Sequence, residues 1–233
     1  HTFQGLNIFL AEMFHQFNDV LGVRQGDFET GVNGLPFAIE NFVQNARKNS
    51  ATIDIVALKT EGQTLEADVM VVNKTGHRLP SGVGFRRLFL QFQVIDDTSG
   101  NERVIWSSGQ TNSVGVLLDE HGMPLPEEFF EDGKYHKHHQ VITSPNQVQV
   151  YEELAKDASG KITTSFIRRA IHVKDNRLLP IGWKEHGQEG MHLPAAFLHA
   201  THPYAVGDDP QYKNGLGSDI VKYRITLPDC FDC

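Results

Sequence analysis

Residues 51–73 read ATIDIVALKTEGQTLEADVMVVN, and the apolar residues of this segment recur at every second position. The alternating residues are Ile53, Ile55 and Ala57 before the Glu61-Gly62 pair, and Leu65, Ala67, Val69 and Val71 after it. A period of two places such side chains on one face of a β-strand, and the Glu61-Gly62 pair favours a turn. The segment therefore predicts a β-hairpin.

More strands are predicted beyond this hairpin. Residues 87–96 and 103–107 carry alternating apolar residues, and the polar segment between them contains residue types that favour turns. Extended segments are also expected near residues 139–153, 164–173 and 219–227. About seven strands with long connections are typical of a sandwich. We predict a mainly β fold, an antiparallel immunoglobulin-like β-sandwich, over residues 51–233.

The first fifty residues have a different period. Apolar residues recur at spacings of three and four from Leu6 to Leu21, and again from Leu35 to Ala46. This spacing is typical of amphipathic helices, and Pro36 suits the first turn of the second one. We therefore predict two N-terminal helices in a helical segment, residues 1–50, that precedes the β-sandwich domain, residues 51–233.

Charge and hydropathy argue against two classes of interaction. The chain has 21 Lys and Arg against 29 Asp and Glu, a net charge of −8, and nucleic-acid phosphates are bound by basic clusters. The short Arg86-Arg87 pair could bind an anion, but we expect it to pair with the carboxylates of Asp96 and Asp97. No apolar run approaches the roughly 20 residues that a membrane-spanning helix needs. We expect neither nucleic-acid binding nor a membrane-spanning segment.

Twelve histidines raise the question of a metal site. His136, His138 and His139 follow several acidic residues and are ligand types suited to zinc, copper or nickel. Neighbouring side chains point in different directions, however, and an exposed His-rich loop often binds nothing. The Asp175-Asn176 and Asp208-Asp209 pairs offer oxygen ligands for calcium, although such residues are also common turn formers.

The segment NKTGHRLPSG, residues 73–82, lies between a predicted strand and the Arg86-Arg87 pair. Further fragments follow it in order: IWSSG (105–109), HHQVIT (138–143), QVQVYE (147–152), VKDNRLLP (173–180) and GDDP (207–210). Together they span most of the chain, which resembles the β-rich domain of many bacterial multihaem c-type cytochromes. The opening HTFQGLN, residues 1–7, is similar to the stretch that follows the haem-binding part in that family.

The resemblance implies a non-catalytic scaffold beside haems that transfer electrons, excised from a longer parent protein. It implies haem c as the parent's cofactor, and a periplasmic or extracellular location. The implied partners are the haem-bearing domain of the same parent and separate redox proteins.

Haem c attachment requires a C-x-x-C-H motif, and this chain has no complete one. The terminal Cys230-Phe231-Asp232-Cys233 stops one residue short of the histidine. Cys230 and Cys233 are therefore candidate haem-binding residues, with a local disulfide or two free thiols as alternatives. His1, which precedes the first predicted helix, is a candidate haem ligand.

Two other functions remain open. A free-standing β-sandwich could bind carbohydrate by stacking sugars on Trp183, Phe197 and Tyr204. A metal-dependent enzyme could use the His clusters, including the four histidines of the long loop, which are His186, His192, His199 and His202. No nucleophile motif such as G-x-S-x-G occurs, and we expect His77 to brace its loop by donating to a backbone carbonyl. We predict that the chain is not an enzyme.

Overall fold

The structure is a computed structural model that describes residues 4–23, 26, 31–81, 86–98 and 100–227. The chain forms two compact units, His1–Thr52 and Ile53–Cys233. Strands predominate and form several antiparallel sheets, accompanied by a few helices. None of the helices in these described ranges has the length and apolar character needed to cross a membrane.

The described residues of the N-terminal unit form three helices: α1 (Gln4–Gln16), α2 (Asn18–Leu21) and α3 (Gly34–Asn49). The first predicted helix is thus divided at Phe17, and Gly22 ends α2 in the left-handed conformation, with φ of 63°. Helix α1 packs on α3. Among the described side chains of this unit only Ala11 is buried, whereas Phe9 and Phe37 are 60% and 63% exposed.

The second unit is built from short strands. In the described residues these are β1 (Ala51–Glu61), β2 (Thr64–Asn73), β3 (Arg87–Phe89), β4 (Phe92–Asp96), β5 (Arg103–Ser108), β6 (Val141–Ile142), β7 (Val150–Lys156), β8 (Ile162–Thr163), β9 (Ile171–Asp175) and β10 (Ser218–Thr226). One sheet has the order β1-β2-β10-β6, in which β10 is antiparallel to β2 and parallel to β6. A second sheet has the order β3-β7-β8, with β9 also paired to β7, and β4 pairs with β5. Helix α4 (Ala195–Thr201) lies in the long loop before β10.

The main core forms where strands of different sheets contribute apolar side chains. Its buried members are Ala67, Val69, Val71, Leu90, Ile142, Tyr151, Leu178, Val221 and Tyr223. The alternation predicted for β2 is confirmed, because its odd-numbered residues from 67 to 73 are the buried ones. Phe92 stacks on Tyr223 with ring centroids 4.1 Å apart, and Trp106 meets Tyr223 edge-on.

Three predictions about strands and charges are wrong in detail. Residues 164–173 were expected to be extended, but residues 166–168 form a turn and β9 begins only at Ile171. Residues 139–153 were expected to be extended, but a turn at Ser144–Gln147 separates β6 from β7, with the Gln147 amide oxygen accepting the Thr143 N–H at 2.8 Å. Arg87 contacts Glu128 rather than an aspartate, and Arg86 donates to the Ser81 carbonyl at 3.1 Å. Strand β4 pairs with β5, so the cross-strand neighbour of Asp96 is Arg103.

Gly109 ends the IWSSG fragment at a point of close backbone approach. Its φ is +76°, and a Cβ at this position would overlap the carbonyl oxygen of Leu90. Both the conformation and the space favour glycine here. The glycine at the end of the IWSSG fragment is therefore explained by its backbone conformation and by the lack of space for a side chain.

Candidate functional site

Asn73 ends β2 and organises the loop that follows. Its Nδ2 lies 2.8 Å, 3.1 Å and 3.2 Å from the carbonyl oxygens of His77, Leu178 and Leu179. Its Oδ1 accepts hydrogen bonds from the backbone N–H and the hydroxyl of Thr75, at 2.8 Å and 2.7 Å. The side chain is fully buried. One amide thus joins the NKTGHRLPSG segment to the VKDNRLLP segment.

The next residues of the loop extend these connections. His77 Nδ1 lies 2.9 Å from the carbonyl oxygen of Arg78, which fits the predicted donation to a backbone carbonyl. The Arg78 guanidinium donates to the Asp175 carboxylate and to the Thr201 carbonyl at the end of α4. Arg177 donates to the same carboxylate at 2.7 Å and 2.8 Å. The loop is thereby tied to β9 and to α4.

A second group of buried polar side chains lies around His138. We call it the His138 network, and its members are His138, Gln149, Tyr151, Asn176, Asp209 and Asp219. Gln149 Oε1 accepts the backbone N–H of His139 at 2.7 Å, and Asn176 Oδ1 accepts that of Glu152 at 3.0 Å. Because a carbonyl oxygen must face each N–H, both amide orientations are fixed.

These orientations determine the tautomer of His138. The NH2 groups of Gln149 and Asn176 point at Nδ1 from 2.9 Å and 3.2 Å, so Nδ1 must accept. The ring proton is therefore on Nε2, which donates to Asp209 Oδ2 at 3.1 Å. Burial opposes ionisation of Asp209, but the hydrogen bonds from His138 and the Tyr212 N–H outweigh it and lower the pKa of the carboxyl. Both ring nitrogens of His138 are thus engaged.

Asp219 is the least satisfied member of the network. Its Oδ2 accepts the Tyr151 hydroxyl at 2.8 Å and Gln149 Nε2 at 3.3 Å. Its Oδ1 is buried and has no hydrogen-bond partner among the described residues. Burial raises the pKa of Asp219, and it also raises the pKa of Tyr151. Burial thus disfavours the charged form of this carboxyl group.

His138, Asp209 and Asp219 place ligand-type atoms within 4.8 Å of one another, and in the described ranges no other three His, Cys, Asp or Glu residues do so. A metal on Nε2 would require the proton to move to Nδ1, where two amide donors already point. The geometry therefore fits a hydrogen-bonded brace better than a metal centre.

Lys174 and Glu152 form a buried pair beside the network. Lys174 is fully buried, and its Nζ lies 2.9 Å from both Glu152 Oε1 and the Val150 carbonyl oxygen. Burial lowers the pKa of Lys174, whereas Glu152 opposes that shift. Removing either partner would leave a buried charge without compensation.

The structure does not bring the three predicted metal ligands together. His136 Nε2 lies 2.8 Å from Glu128 Oε1, while the neighbouring His138 contacts Asp209. Burial, and then the charge of Lys174, lower the pKa of His139 to about 4. The three rings therefore have separate surroundings.

Most of the other predicted ligands are engaged by protein groups. The carboxylates of Asp175 and Asp209 accept hydrogen bonds from arginine and histidine, and Asn176 bonds to the backbone of β7. Asp208 is exposed. The side chains of three of the four residues considered as calcium ligands thus form hydrogen bonds with other groups of the protein. His1, Cys230 and Cys233 lie outside the described residues.

Three histidines of the long loop line one cavity of about 540 Å³. We call it the imidazole cavity; its titratable lining residues are Glu185, His186, His199, His202, Tyr204 and Lys213. Trp183, a predicted sugar platform, packs on Leu179, Val206 and Tyr212, and its indole N–H donates to the Thr201 carbonyl at 3.2 Å. Phe197 and Tyr204 are 51% and 37% exposed.

Several residues that form the buried hydrogen bonds described above were not predicted as site residues from the sequence. They are Asn73, Gln149, Tyr151, Glu152, Lys174 and Asp219. A signal existed, because Gln149 and Glu152 are polar residues within a predicted strand. The hydrogen-bond partners of these residues could not be predicted from the sequence, because the bonds join residues up to 106 positions apart in the chain.

Comparison with protein-family models, with curated proteins and with solved structures gave no match. The chemistry of the chain's own residues is therefore the basis for a functional proposal.

Proposed function

We propose that the chain is a non-catalytic domain of a multihaem c-type cytochrome, where it acts as a scaffold beside the haems that transfer electrons. The observation that carries this proposal is the convergence of the motif residues. Five separate segments supply Asn73 and Arg78, His138, Gln149 and Glu152, Lys174 to Asn176, and Asp209. In the interior these residues hydrogen-bond to one another or to each other's backbone. Buried polar groups must be paired, and this requirement accounts for the way these residues meet in the interior.

The surroundings of these residues favour bracing over catalysis. A general base or nucleophile has to reach a substrate. The His138 side chain is 2% exposed, its partner Asp209 is 3% exposed, and both ring nitrogens of His138 hold hydrogen bonds. Such groups are suited to fixing loops in place.

The core arrangement supports an immunoglobulin-like β-sandwich as the architecture. Ala67 and Val221 belong to the β1-β2-β10-β6 sheet, whereas Tyr151 belongs to the sheet that contains β7, and all three lie in one apolar cluster. Two sheets that share a core in this way are the basis of a sandwich.

The exposed apolar residues of the N-terminal helical unit support the proposal of a partner domain. Its described helices bury only Ala11 and expose Phe9 and Phe37, so they gain little stability from a core of their own. We propose that the haem-bearing domain of the same parent covers this apolar surface. In this proposal the parent is periplasmic or extracellular and exchanges electrons with separate redox proteins, while His1, Cys230 and Cys233 contribute to a haem site.

The gene and its product provide the test. Sequencing on both sides of the region that encodes residues 1–233 should reveal several C-x-x-C-H motifs. The full-length product, made in a host that attaches haem c, should keep its Soret absorption after denaturation. A gene without these motifs, or a product without covalent haem, would overturn the proposal.

A further inference from the structure

The imidazole cavity is distinct from the His138 network. His186 and His199 are exposed and His202 is partly exposed. No hydrogen bond within the described part of the chain engages the ring of His186 or His199. His202 Nδ1 lies 3.9 Å from Glu185 Oε1. The cavity therefore offers three accessible imidazoles and a carboxylate.

The scaffold fixes the backbone that carries two of these rings. His199 is in the last turn of α4, and His202 follows the helix directly. The Thr201 carbonyl between them accepts hydrogen bonds from Trp183 and from Arg78. Residues three apart near a helix end lie on neighbouring positions of one face. The Arg78 loop thus helps to hold His199 and His202 at the same cavity.

We propose that the imidazole cavity binds a divalent transition-metal ion, best matched by Zn²⁺, through His186, His199 and His202 with Glu185 as the fourth ligand. Three imidazoles and a carboxylate are ligand types that zinc accepts in tetrahedral geometry. The ligand atoms are not yet within 4.8 Å of one another, because that spacing occurs in the described residues only around His138. Binding therefore requires rotation of exposed side chains, which the cavity of about 540 Å³ accommodates.

This site differs from the His138 network in the state of its nitrogens. Both nitrogens of His138 already hold hydrogen bonds, and its proton is fixed on Nε2 by two amides. Neutral imidazoles with an unprotonated nitrogen are what a metal ion requires. The exposed rings of His186 and His199 can present that nitrogen without breaking an internal bond.

Titration of the 233-residue chain with Zn²⁺ by calorimetry, and with Co²⁺ followed by visible absorption, tests the proposal. A Cys230→Ser/Cys233→Ser background removes the thiols as competing ligands. One ion per chain should bind, and a further His199→Ala/His202→Ala change should weaken binding at least about tenfold, the smallest loss typical even of supporting residues around metal sites.

His192→Ala is the matched control, because His192 is an exposed histidine of the same loop that does not line the cavity. It should leave the affinity unchanged. Absence of Zn²⁺ and Co²⁺ binding, or equal affinity in the His199→Ala/His202→Ala variant and its background, would overturn the proposal. Circular dichroism should show that the variants keep the folded spectrum; if the double variant does not fold, a His186→Ala variant replaces it.

Discussion

His138 Nε2 donates to Asp209 Oδ2 across 3.1 Å and so joins two segments that are 71 residues apart in the chain. Asp209 Oδ1 accepts the backbone N–H groups of Gln211 and Tyr212, both at 3.0 Å. One carboxylate therefore fixes a turn and the histidine together. Its neighbour Asp208 is exposed, which makes the GDDP pair a natural comparison.

Asp209→Asn should lower the free energy of unfolding by about 1 to 3 kcal/mol, because an amide cannot accept hydrogen bonds from both the turn and the His138 N–H. Asp208→Asn should change it by less than about 0.5 kcal/mol, as is usual for exposed positions. Urea unfolding of both variants measures the difference. Equal effects at the two positions would show that the His138–Asp209 bond does not stabilise the fold.

Glu128 should contribute to acid unfolding. Burial opposes its ionisation, but hydrogen bonds from His136 and Arg87 outweigh this and lower the pKa of the carboxyl from 4.5 to about 2. Its folded pKa is below its unfolded value, so the stabilisation is present above pH 4.5 and lost as the pH falls towards 2. Glu128→Gln should therefore show a shallower loss of stability between these pH values. Glu131→Gln, at an exposed position, should follow the wild type.

His139 should affect the free energy of unfolding in a higher pH range than Glu128 does. Burial, with the charge of Lys174, lowers the pKa of its ring from 6.5 to about 4. Protonation then favours the unfolded chain, so this contribution is complete above pH 6.5 and is lost as the pH falls to 4. His139→Asn should reduce the slope of unfolding free energy against pH in that interval. The exposed His121→Asn variant is the control, and a slope equal in all three proteins would refute the assignment.

A comparison of Gly109→Ala with Gly122→Ala should separate the cost of steric overlap from the cost of backbone strain. Gly109 and Gly122 both have positive φ, +76° and +79°, but only at Gly109 would a Cβ meet another atom within 4 Å. Gly122→Ala should cost about 1 kcal/mol for the left-handed conformation alone. Gly109→Ala should cost a further 1 kcal/mol or more, roughly, because Leu90 has to move. Thermal unfolding of the two variants compares them, and equal melting temperatures would contradict the close approach.

The fold was predictable where one face of an element is buried. The alternation in residues 64–73 predicted β2 because only its odd-numbered side chains from 67 onward enter the core. The helical period of residues 6–21 did not show the interruption at Phe17. The turn within residues 139–153 was missed although Ser144, Pro145 and Asn146 are turn-forming residue types, because the alternation on either side of them was taken as one strand.

The candidate site was predictable only in part. His138 was singled out by its residue type, but its surroundings depend on Gln149, Asn176 and Asp209, which come from three other segments. Arg87 contacts Glu128, 41 residues away, because strand pairing and a long loop bring them together. Local sequence carries little information about such distant pairs, whereas the ordered fragments did contain every member of the His138 network except Asp219.

Equilibrium unfolding of an Asn73→Ala variant is the sharpest test of the bracing role. Asn73 faces three backbone carbonyls and accepts two hydrogen bonds from Thr75. Its loss should therefore lower the free energy of unfolding by about 3 kcal/mol, since several buried groups lose a partner. Asn214→Ala, which removes a single bond to the Leu216 N–H at an exposed position, should cost about 1 kcal/mol or less. Equal, small losses in both variants would contradict a scaffold held together by its buried polar residues.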